Sequence, residues 1–91
     1  MPKTNDYALL HLGFATYIPI HKITAVMKYN STASKRLVRE ARDSTEPGKF
    51  VDATHGRRTN SVVILDNGAV IACPVKVETL HGRLQNYVEK E

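Results

Sequence analysis

In the stretch "DATHGRRTN", residues 52–60, two arginines directly follow a glycine. Each guanidinium is a planar fork of N–H donors that matches phosphate oxygens, a role in which lysine is a poorer substitute. In a regular strand Arg57 and Arg58 would point to opposite faces and could not share a ligand. Gly56 changes that expectation, because glycine accepts a positive φ at no steric cost and breaks the alternation. The pair is then presented outward at the tip of a turn. The competing reading is a solvated loop, or one arginine paired with Asp52 for structure, since exposed ion pairs are common and contribute little.

Other reactive groups are sparse. Asp52 and His55 outline an acid–base pair beside the arginines, as a phosphodiesterase-like or nuclease site would use. No second carboxylate stands near them in sequence to hold a divalent cation, and no glycine-rich phosphate loop precedes a helix. The four histidines, His11, His21, His55 and His81, are scattered without the short spacing of a metal site. His81 falls at the edge of an apolar helical stripe, where packing is the simpler role. Cys73, the only cysteine, excludes an intrachain disulfide. Its setting, "AVIACPV", reads as a buried small hydrophobe in a reducing compartment and lacks a basic neighbour in sequence to activate the thiol. The expectation is a non-enzymatic protein with no cofactor and no metal.

The chain has 91 residues, with 13 Lys and Arg against 9 Asp and Glu, a formal net charge of +4. Lys35, Arg36, Arg39, Arg42, Lys49, Arg57 and Arg58 all fall between residues 35 and 58, whereas Asp6, Glu78, Glu89 and Glu91 lie outside that span. A basic middle third favours a phosphate-bearing partner. No apolar run approaches the roughly 20 residues of a membrane span, and the first residues lack an apolar segment of signal-peptide type. One domain over residues 1–91, cytoplasmic and without a membrane partner, is expected.

These groups need a scaffold. "YALLHLGF" reads as a first strand, and "TYIPIHKITAVMKY" as a second, with a bend or an edge position at Pro19. In "NSTASKRLVREARDS" the period becomes helical through Ala33, Leu37, Val38 and Ala41, with Asn30, Ser31 or Thr32 as cap. Lys35, Arg39 and Arg42 share the other side of that helix, while Arg36–Glu40 and Arg39–Asp43 have ion-pair spacing. Pro47-Gly48 forbids continuation. "KFVDAT" and "SVVILD" read as strands, Asn67-Gly68 as a two-residue hairpin, and "AVIACPV" as the return strand. Both hairpin strands are apolar at nearly every position, so helices or another subunit must cover both faces. Val77, Leu80, Leu84 and Val88 line one side of a final helix, in which Gly82 costs about 1 kcal/mol relative to alanine. The fold class is α+β, a small mostly antiparallel sheet with two helices.

"LGF" at 12–14, "KRLVREARD" at 35–43, "VDATHGRRT" at 51–59, "VVILD" at 62–66 and "VETLHGRL" at 77–84 occur in an order that resembles the RemA-type extracellular matrix regulatory proteins of bacteria. The resemblance spans roughly residues 9–84, and "DAT-x-GRRT" with "EARD" upstream is its most specific part. It implies a DNA-binding transcriptional regulator of biofilm-matrix genes that assembles into ring-like homo-oligomers and arrays basic copies against bent DNA. By similarity Arg57 and Arg58 are phosphate contacts, and a further basic residue of the family maps onto Lys22. The chain departs from the family in having His55 for a usual tyrosine, Ala15 for a second glycine and Lys22 for arginine. "STEPGK" lengthens the connection after the helix by about three residues, and residues 1–7 are extra.

The reading is therefore an oligomeric regulator whose partners are double-stranded DNA and further copies of itself. Its DNA-binding residues are Arg57 and Arg58, with Lys22, Lys35 and Arg39 in support. The alternatives are a structural homo-oligomer whose arginines make subunit contacts, and a phosphodiesterase-like enzyme built on Asp52 and His55.

Overall fold

The computed structural model describes residues 8–86. Tyr7 of the first expected strand and Val88 of the last helical stripe lie outside them. Strands β1 (Leu9–His11) and β2 (Tyr17–Pro19) pair antiparallel as a separate two-stranded ribbon. Of the bend or edge position expected at Pro19, the structure has a bend: Pro19 ends β2, a 3-10 turn over Ile20–Lys22 follows, and β3 (Ile23–Lys28) then enters the main sheet. Helix α1 (Thr32–Asp43), β4 (Phe50–Asp52), β5 (Ser61–Leu65), β6 (Val70–Cys73) and α2 (Val77–Gln85) follow. The main sheet has the order β3-β5-β6-β4, antiparallel except for the parallel β4–β6 pair.

The double-sided apolar pattern of β5 and β6 has a direct explanation, because the sheet is covered on both faces within one chain. Val62 and Val70 pack with Val38 and Ala41 of α1. Val63, Ile71 and Cys73 face the other way, into a core with Leu10, Leu12 and Ile18 of the ribbon segment and Leu80 of α2. Strand β3 joins both layers through an irregularity between Ile23 and Ala25. One extra residue there inverts the alternation, so Ile23 packs with Val26 on the ribbon side rather than with Ala25. Cys73 is fully buried, and its thiol donates to the Leu12 carbonyl across 3.3 Å.

Of the three candidate caps, Ser31 starts α1. Its Oγ accepts from the Ser34 amide at 3.0 Å, and the Ser34 hydroxyl oxygen accepts from the Ser31 amide at 3.1 Å, a reciprocal capping box. The Asn67-Gly68 hairpin is a correction. The loop has three residues, 66–68, closed by Leu65 N–H donating to Ala69 O and Gly68 N–H donating to Leu65 O, both at 2.9 Å. Asn67 does not take the positive φ a two-residue turn would require; its side chain accepts from the Ala69 amide at 2.9 Å, and Gly68 alone lies in the left-handed region at +87°.

A second turn departs from residue preference. In residues 13–16 the Thr16 amide donates to Gly13 O at 3.0 Å, while Phe14 and Ala15 stand at φ 49° and 64°. Two central residues at positive φ define a type I′ turn, normally supplied by glycine or asparagine. A glycine at position 15, as the family resemblance implies, would suit this backbone. Left-handed backbone costs a β-carbon-bearing residue about 1–2 kcal/mol, partly offset by glycine's greater unfolded-state entropy. Ala15→Gly is expected to raise stability by about 0.5–1 kcal/mol in urea denaturation. A loss of stability would show that the Ala15 side chain makes a favourable contact outweighing its backbone strain.

Candidate nucleic-acid interface

Strand β4 delivers the chain to the site. After Asp52 the Ala53 amide still donates to Ala72 O at 2.9 Å, and then the path leaves the sheet. Residues 54–57 form a second type I′ turn, with the Arg57 amide donating to Thr54 O at 3.0 Å. His55 and Gly56 occupy its centre at φ 51° and 82°. The sequence expected Gly56 to break the alternation; His55 breaks it as well, in a conformation that non-glycine residues adopt at a cost. Arg57 and Arg58 emerge exposed beyond the turn.

Asp52 holds this turn rather than an arginine. Its Oδ1 accepts from the Thr54 amide at 2.9 Å and from the Thr54 hydroxyl at 2.5 Å. Those hydrogen bonds hold the Asp52 carboxyl below the usual carboxylate range, against a lesser opposing effect of burial and with still smaller electrostatic pulls from Arg42 and His55. Arg42 is itself placed over the Phe50 ring, 5.4 Å from its centroid.

The two type I′ turns meet. Phe14, at the tip of the first, lies 5.0 Å from the His55 ring of the second, and the Arg57 guanidinium sits 5.6 Å from the Phe14 centroid. A ring under a guanidinium restricts its rotamers and leaves its outer N–H groups available. Phe14 is 46 % exposed, and its ring lies beside both His55 and the Arg57 guanidinium, where it can position the latter. Phe14 is 43 positions from Arg57 in sequence; the only local hint is a large aromatic in a turn-like "GFAT". Gly13, Phe14, Arg57, Arg58, Asn60, Pro74 and Val75 line an open cleft of about 430 Å³.

The remaining basic residues are distributed. Lys35 is in the first turns of α1, at the same end of the sheet as the arginines but in the other layer; Arg39 is one turn farther on, and both are exposed. Lys22 is at the opposite end, its carbonyl accepting from Asp66 N–H at 2.8 Å beside the β5–β6 loop. The five residues of β5 separate it from the arginines by roughly 13 Å or more at strand rise. Within one copy Lys22 and Arg57 therefore stand at opposite ends of β5. Among the described residues no three His, Cys, Asp or Glu gather as a metal site, and no helix is long and apolar enough to cross a membrane.

Fold and site together define a small α+β protein with a cationic turn supported by an aromatic residue. The chain belongs to the RemA-like family, described as extracellular matrix regulatory protein A-like, whose model matches residues 9–84. A relative from Cyanothece sp. is 38% identical over 78 residues, covering 86% of this chain and 82% of the relative. One from Bacillus cereus is 38% identical over 80 residues, 88% of each chain, and one from Bacillus cytotoxicus is 38% identical over 77 residues, 85% of each. All three are named as candidate regulatory proteins.

Proposed function

We propose that the protein is a homo-oligomeric, DNA-binding regulator of transcription, acting on genes of the matrix or biofilm type. The observation that carries this reading is the pair Arg57 and Arg58, both exposed beyond a hydrogen-bonded turn, with Phe14 beside Arg57. Planar forks held in place suit phosphate oxygens. Membership of the RemA-like family supports the regulatory role. A non-enzymatic reading fits Asp52, because the two hydrogen bonds that its Oδ1 accepts from Thr54 hold the carboxyl below the usual carboxylate range and make it a weaker base.

Each copy offers few phosphate contacts, so tight binding calls for repetition, in which later contacts become effectively intramolecular. The outer face of the ribbon is compatible with assembly: Leu9 and Tyr17, 45 % and 55 % exposed, share that face and offer apolar surface to a second copy. A duplex bent along a ring of copies would meet Arg57 and Arg58 repeatedly, with Lys22, Lys35 and Arg39 as separate auxiliary contacts. Sequence preference then comes largely from DNA deformability.

Size-exclusion chromatography with light scattering tests assembly, alone and with a duplex of several tens of base pairs. The expected result is a particle of several copies that keeps its size in Arg57→Ala/Arg58→Ala. A monomer at every concentration would contradict it. A double variant that falls apart would assign the arginines to subunit contacts instead.

A further inference from the structure

The arginine cleft has a neighbour. Lys28, Asn60, Lys76, Val77 and Glu78 line a second open depression of about 190 Å³, and Asn60 belongs to both. Their adjacency follows from strand register. Lys28 ends β3 opposite Ser61, the Ser61 hydroxyl donates to Val75 O at 2.8 Å, and Lys76 is the next residue in the chain. Asn60 fixes the wall between the clefts, its side-chain amide donating to Pro74 O at 2.7 Å while its backbone carbonyl accepts from Tyr29 N–H at 3.2 Å. Both lysines are exposed and come from different elements. Nothing in the fold of the sheet requires cations at either position.

We infer that Lys28 and Lys76 form a second phosphate-binding subsite, which continues the arginine cleft across Asn60, so that one copy grips successive phosphates of a DNA strand. This rests on the DNA-binding reading above. Lysine suits such a subsite as a mobile point charge, whereas Arg57, beside Phe14, sets the register. Glu78 lies in the same depression and opposes an anion there. Its removal therefore works in the opposite direction to removal of the lysines.

The test is a fluorescence-anisotropy titration of a labelled duplex at several salt concentrations, with the full chain as wild type, Lys28→Ala/Lys76→Ala and Glu78→Gln. The lysine variant is expected to bind about tenfold more weakly, with a log–log salt slope flatter by about 1.8 for each engaged copy. Glu78→Gln is expected to bind more tightly than wild type. Circular dichroism and light scattering keep loss of fold or assembly separate from loss of a contact. Wild-type affinity and slope in the lysine variant would overturn the subsite while leaving the arginine clamp intact. No duplex binding by wild type at low salt would overturn the DNA-binding reading and the subsite with it.

Discussion

Replacing Arg57 and Arg58 together by alanine is expected to abolish tight DNA binding while leaving the fold and the particle size unchanged. Both side chains are exposed, and the carboxylate closest to them in sequence, Asp52, is occupied with Thr54. Their loss removes no core packing. A hydrogen bond to a charged group contributes about 1.5–3 kcal/mol, so removing two of them weakens binding about a hundredfold or more, and repetition around an assembly compounds the effect. Arg57→Lys should recover only part of it, because lysine lacks the planar donor fork that Arg57 holds beside Phe14. An electrophoretic mobility shift with a duplex of several tens of base pairs reads the difference.

The largest effect on stability is expected from Leu80→Ala. Leu80 is 0 % exposed and packs in the core shared by the ribbon segment, the sheet and α2. Removing a fully buried leucine side chain costs about 3 kcal/mol, from lost transfer free energy and the cavity left behind. That is a large part of the 5–15 kcal/mol typical of a domain. Helix α2 has lesser attachments in the half-buried Leu84 and in Arg83, whose Nη1 donates to His11 O at 2.7 Å. Its loosening should therefore disturb the ribbon too. Urea denaturation at one fixed protein concentration should show a lower midpoint with an unchanged slope. A change below about 0.5 kcal/mol would mean that α2 is not docked as described.

Elements with a strong local signal were legible in the sequence. Helix α1 follows from its period and its Ser31 cap, and β5 and β6 from continuous apolar runs. The family resemblance over residues 9–84 coincides with the family match. What local pattern could not provide is pairing. The separation of β1 and β2 from the main sheet depends on the 3-10 turn at residues 20–22, and the parallel placement of β4 on how α1 crosses the sheet. The Asn67-Gly68 dipeptide suggested the wrong turn because an asparagine side chain can cap a three-residue loop just as well.

The site was half legible for the same reason. Arg57 and Arg58 announce themselves by residue type beside a glycine, whereas Phe14 comes beside Arg57 only once two turns with positive φ are brought together. Lys22 looks close in character to the arginines but is placed at the far end of β5. Lys28 and Lys76, 48 positions apart, become neighbours only through the register of β3 on β5 and the Ser61–Val75 hydrogen bond.

The most direct measurement of the central claim is the salt dependence of duplex binding, wild type against Arg57→Ala/Arg58→Ala, by fluorescence anisotropy. On the proposed reading, two phosphates per engaged copy go unmatched in the variant. The expected result is a steep wild-type log–log slope that flattens by about 1.8 for each such copy. Equal slopes and affinities for the two proteins, or no wild-type binding even at low salt, would contradict the assignment of the doubled arginine as a phosphate clamp.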